Sequence, residues 1–165
     1  MTPAELLIDA FGRVREGALA AIDGLTEDQL AHGVAPDANS VAWLVWHAHR
    51  VQDDHIADAA GLQQVWAARG FIEHFDLDLD EDDTGFGHTS AQVAKVRAPD
   101  ELLARYVEAT HRQTVAWIGG LTEADLDRVI DEAWDPPVTL GVRLVSVVDD
   151  GTQHIGQAAY VRGLL

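Results

Sequence analysis

Four stretches of this chain carry apolar residues at helical spacing between start and stop signals, a pattern that strands or coil could not bury. The first has Thr2 as N-cap, Pro3 at the first helical position and Glu5 as capping-box partner. Leu7, Phe11, Val14, Ala18 and Ile22 then run to a stop at Gly24. The second follows the turn-rich Ala35-Pro36-Asp37-Ala38-Asn39, with Ser40 as cap and Gly61 as terminator. The third is opened by Pro99 and closed by Gly119-Gly120. The fourth is entered through the extended Asp135-Pro136-Pro137, capped by Thr139, and reaches nearly to Leu165. Between the second and third lies a long connection from Leu62 to Pro99. It is read as a short helix near Gln63 to Ala68, an acidic loop, and a turn capped by Thr89 that runs through Val96. The expected fold is all-α, a single antiparallel four-helix bundle spanning residues 1–165, with its long connection between helices two and three.

A chain of 165 residues that is 47 % hydrophobic can bury such a core. Its 28 acidic and 11 basic residues give a net charge of −17, which repels nucleic acid and anionic membrane surfaces. The run from Asp76 to Asp83 lacks the spacing of a calcium loop and reads as solvated. No cysteine is present, so any thiol chemistry must use an external thiol. The N-terminus carries no signal-peptide pattern, and no apolar run approaches ~18 residues, so a cytoplasmic location is expected.

Gly24-Leu25-Thr26-Glu27-x-x-Leu30 recurs as Gly120-Leu121-Thr122-Glu123-x-x-Leu126, each copy directly after a long helix. It is either a trace of duplicated hairpins or a capping box used twice. Read as a duplication, it places His47 opposite Asp150 on facing helices. On helix two, His47 interrupts the inward stripe Val41, Leu44, Val51. On helix four, Asp150 and His154 interrupt Val147, Ala158, Val161. Four residues apart, they lie ~40° from each other around the helix and can converge on one ion. A buried aspartate facing two imidazoles is costly unless it binds a cation, although a metal-free hydrogen-bonded network remains the alternative. Two nitrogens and one oxygen suit zinc first, with nickel or iron as other choices, and leave a coordination position open.

Trp43-Leu44-Val45-Trp46-His47 with Arg50, Gly85-Phe86-Gly87-His88-Thr89, and Asp150-Gly151-Thr152-Gln153-His154 ending in Tyr160-Val161-Arg162-Gly163 resemble the DinB-like superfamily. The resemblance is to its actinobacterial branch, related to mycothiol-dependent maleylpyruvate isomerase and mycothiol S-transferases, and covers essentially the whole chain. It implies a divalent metal ion on His47, Asp150 and His154. Asp150 stands where that superfamily commonly has His or Glu. The resemblance further implies an enzyme in which metal coordination activates a low-molecular-weight thiol toward a small electrophile, as an S-transferase or isomerase. With the aromatic-rich helices, it makes a homodimer a reasonable assembly.

His88 is the candidate catalytic residue beside the glycines, and Arg50 and Arg162 are candidates for binding substrate. His49 and His55 point away from His47 and are expected at the surface. The five tryptophans are expected in the core or at an interface. A metal-dependent hydrolase, with His88 moving protons, and a non-enzymatic metal- or ligand-binding dimeric bundle are the competing readings.

Overall fold

The structure, a computed structural model, describes residues Met1–Leu165, and its helix ends follow the caps. Four long helices dominate: α1 (Pro3–Ile22), α3 (Val41–Ala60), α7 (Asp100–Ile118) and α8 (Leu140–Arg162). Short helices fill the connections: α2 (Glu27–Leu30), α4 (Val65–Ala68), α5 (Phe71–Phe75) and α6 (Ser90–Val93). A 3-10 turn (Glu123–Asp127) leads into a small antiparallel pair, β1 (Val129–Asp131) and β2 (Val138–Thr139). The fold is therefore mostly helical, and the hairpin is an addition that the sequence pattern had not announced. No helix is long and apolar enough to cross a membrane.

Thr2, Ser40 and Thr139 accept the third-residue N–H of their helices, removing one unpaired donor from each end. Gly61 closes α3 with φ 65°, a conformation that favours glycine. The two Leu-Thr-Glu copies are both capping boxes. Gln29 returns to the Thr26 N–H at 3.0 Å, and Asp125 to the Thr122 N–H at 2.7 Å.

The long helices form a closed series of contacts, α1 on α8, α8 on α3, α3 on α7 and α7 on α1. α1 and α8 meet at glycines: a Cβ on Gly17 would lie 2.7 Å from Ile155 Cγ2, and one on Gly151 would lie 3.0 Å from Val14 Cγ1. That close approach brings α8 far enough in for Asp150 and His154 to face α3. α3 is the most buried helix, hidden from Val41 through Arg50. α8, by contrast, leaves Val142, Val145 and Tyr160 exposed.

His49 belongs to this interior rather than the surface, with only 1 % of its area exposed. Its Nδ1–H donates to the Val45 carbonyl at 2.8 Å, and burial lowers its pKa to about 4, so it sits neutral in the core. Trp43, Trp46 and Trp66 are core residues, whereas Trp134 on the hairpin is 65 % exposed.

Candidate metal centre

His47 comes from the middle of α3, and Asp150 and His154 from successive turns of α8. One ligand atom from each can be chosen so that all lie within 4.8 Å of one another. The rings of His47 and His154 stand at 75° with centroids 4.7 Å apart. Trp43, one turn before His47, stacks on its imidazole at 4.5 Å and meets His154 edge-on at 6.2 Å. One indole therefore restrains both rings.

The tautomers follow from the partners. His47 Nδ1 bonds the Thr84 carbonyl, which can only accept, so this nitrogen carries the proton and Nε2 keeps its lone pair. His154 Nδ1–H donates to Gln157 Oε1 at 3.1 Å, which leaves Nε2 toward Asp150 Oδ1 at 3.4 Å. An outer partner on the far nitrogen of each imidazole is the usual support for a metal-binding histidine. Asp150 Oδ2 is buried without any hydrogen-bond partner. A carboxylate that groups with two imidazoles and keeps one oxygen orphaned fits a divalent cation, because leaving that oxygen unpaired is costly.

The electrostatics agree with this reading. Burial, the largest influence, lowers the His47 pKa, so its Nε2 is available at neutral pH. The Asp150 carboxylate, facing Nε2 as an acceptor, raises that of His154 against the effect of burial. The His154–Asp150 pair thus favours a proton in the place a cation would take, and cation binding would displace it. The side chains of His154 and Asp150 remain 20 % and 34 % exposed, so the centre has an open side.

The acidic connection contributes more than solvated charge, because its far end is sewn onto α3 and α4. Trp66 Nε1–H donates to the Glu81 carbonyl at 3.0 Å, and Arg50 Nε–H to the Asp83 carbonyl at 3.1 Å. Asp83 Oδ1 accepts the Gly85 N–H at 2.7 Å. Gly85 has φ 91°, and a Cβ there would stand 2.9 Å from both His47 Nδ1 and Trp46 Cζ3. The segment must be bare at this point to lie against the His47 ring.

His88 is drawn into the same fabric. Trp43 Nε1–H donates to its Nδ1 at 3.0 Å, and because an indole can only donate, the proton of His88 lies on Nε2, which donates to Asp83 Oδ2 at 2.8 Å. Both nitrogens are engaged and the side chain is 2 % exposed, so in this arrangement His88 braces the loop.

Arg50 is likewise interior, with no exposed side-chain area. It donates to Gln64 Oε1 at 2.8 Å, lies 3.8 Å from Asp53 and stacks over Trp66 at 5.0 Å. A guanidinium so enclosed anchors the connection, with its Nη2 left without a partner. Arg162 donates to the Ala21 carbonyl at 3.0 Å, tying the end of α8 to the end of α1. Neither arginine joins the three converging ligands. Sequence reasoning missed the Asp83, Thr84 and Gly85 contacts, for which only the Gly-x-Gly beside His88 was a signal.

The sequence pattern of the family described as mycothiol-S-transferase matches residues 6–165. The crystal structure of a conserved protein from Enterococcus faecalis superposes with a TM-score of 0.93 at 34 % identity, covering 99 % of this chain and 97 % of that one. No curated protein matches the sequence. With the match spanning nearly all of the chain, and consistent with the DinB-like resemblance of its motifs, this protein belongs to the mycothiol-S-transferase family.

Proposed function

We propose that the protein is a metal-dependent thiol S-transferase whose divalent ion, zinc first, is held by His47, Asp150 and His154. The observation that carries this reading is the orphaned Asp150 Oδ2 beside two imidazoles whose outer nitrogens are already fixed. An ion at that point supplies Lewis acidity that lowers the pKa of a thiol bound next to it. The chain has no cysteine, so the thiol is a cosubstrate.

The rest of the work falls to the protein's own groups. Trp43, Thr84 and Gln157 hold the imidazoles in orientation, and Asp83 with His88 holds the loop that carries Thr84. A groove of about 650 Å³ lies along α8, lined by Gln153 and Gln157, the neighbours of His154 on that helix, together with Asn39, Leu44, Tyr160 and Val161. Uncharged amides and a phenol among apolar side chains suit a neutral, polar thiol rather than an anionic one. We place the long cosubstrate arm there. The scaffold in this reading is the antiparallel four-helix bundle as one domain, which the closed series of helix contacts supports.

The test is a conjugation assay with a low-molecular-weight thiol and a small electrophile, run with zinc-loaded wild type and His47→Ala. Thiol-dependent product from wild type alone supports the proposal. Equal rates in the two proteins refute it, and wild-type turnover without thiol favours hydrolysis instead.

A further inference from the structure

Eight of the eleven basic residues are engaged within the protein. Arg13, Arg15, Lys95, Arg97 and Arg143 each reach a carboxylate. Arg50, Arg128 and Arg162 donate to main-chain carbonyls. The three that remain, Arg69, Arg105 and Arg112, line a single depression of about 420 Å³. In a chain of net charge −17, where carboxylates far outnumber cations, the free guanidiniums have gathered in one place rather than dispersed.

The local structure explains how they meet. Arg105 and Arg112 stand seven residues apart on α7, two turns along the same face, with Ala109 between them. Arg69 arrives from the end of α4, just before Gly70 turns the chain into α5. The floor is apolar, formed by the buried Phe71 with Ala104 and Ala109. The one acidic residue of the lining, Glu108, is already held by Arg15 through Nε–H at 3.0 Å and through Nη2. Its single charge, already shared with Arg15, falls short of balancing the other three. Three like charges left together repel one another, and they create a local positive field on a surface that elsewhere turns anions away.

We propose that this depression is a binding site for a small oxyanion, a phosphate ester or a dicarboxylate, that also carries a flat apolar group. Guanidinium forks match the paired oxygens of phosphate and carboxylate, and the Phe71 and alanine floor takes the ring. The volume is that of a metabolite site. The depression is built from α4, α5 and α7, away from the α3–α8 face that carries the metal ligands, so the inference does not rest on the metal reading.

Calorimetric titration of the full chain at low salt, with phenyl phosphate and phthalate as separate probes, tests this. Saturable binding of either probe is expected, and whichever binds better identifies phosphate or carboxylate as the preferred head group. Each of Arg69→Gln, Arg105→Gln and Arg112→Gln should weaken it about tenfold, the loss of one charged hydrogen bond. All three side chains are exposed, so these variants keep the fold. Arg13→Gln changes net charge equally at an ion pair outside the lining and should leave binding unchanged, as should His47→Ala. Absence of binding by both probes, survival of binding in the triple variant, or an equal loss in Arg13→Gln would overturn the proposal.

Discussion

Gly85 and Gly87 lie two residues apart in the same loop, and replacing each with alanine should have very different consequences. Both have positive φ, 91° and 75°, so either substitution imposes a backbone cost of about 1–2 kcal/mol. At Gly87 nothing lies within 4 Å of the added carbon. At Gly85 it would meet His47 Nδ1 and Trp46 Cζ3 at 2.9 Å and Trp43 Cζ2 at 3.2 Å. These are buried rings with no room to retreat, so overpacking adds about 1–3 kcal/mol. We therefore expect Gly85→Ala to destabilise by about 2–5 kcal/mol and Gly87→Ala by about 1–2. Any gain from a stiffer unfolded chain is common to both and cancels in the difference. Urea unfolding with chelator present measures the folding terms, and zinc titration of each variant measures the second effect. Only Gly85→Ala displaces the His47 ring, so only it should weaken zinc binding. Equal losses of stability, with zinc affinity unchanged in both, would refute the view that this loop lies bare against His47 because it must.

Three further outcomes follow from the same geometry. Asp150→Asn should leave the chelated protein as stable as wild type or slightly more so, because it removes a charge whose Oδ2 is unpartnered, while zinc affinity falls at least ~10–100-fold; melting with and without zinc reads both effects. Asp53→Ala strands the buried Arg50 together with the Val65 and Trp66 N–H groups, each 2.8 Å from an Asp53 oxygen, and should cost about 3–5 kcal/mol in urea unfolding. Gly17→Ala forces a carbon to 2.7 Å from Ile155 Cγ2 and should cost about 1–3 kcal/mol, whereas Gly12→Ala, with open space around it, should be neutral or stabilising.

The long helices are legible in the sequence because caps and terminators act locally. Thr2, Ser40 and Thr139 mark their own helix starts, and Gly61 marks a stop, with no help from tertiary packing. The three converging ligands are legible for a related reason, since each interrupts an apolar stripe of known period. What escapes is carried by main-chain atoms or by contacts distant in sequence. The Thr84 carbonyl that fixes the His47 tautomer has no side-chain signature. Helix α5, five residues long, is too short to show a period and is stabilised by packing of Phe71 and Phe75 with Tyr106. His49 looks like a surface residue only until α7 covers it. Arg50 and His88, read from the sequence as substrate-binding and catalytic, are held in the structure by the loop contacts of Asp83, because polar residues beside a site can hold it in shape as well as meet a ligand, and spacing does not separate the two roles.

Metal analysis of the purified protein, made without added chelator, tests the central claim most directly. The account predicts about one divalent ion per chain in wild type and its loss in both His47→Ala and Asp150→Ala, with helix content unchanged. A folded wild type that carries no metal and takes up neither zinc, nickel nor iron on loading would contradict it.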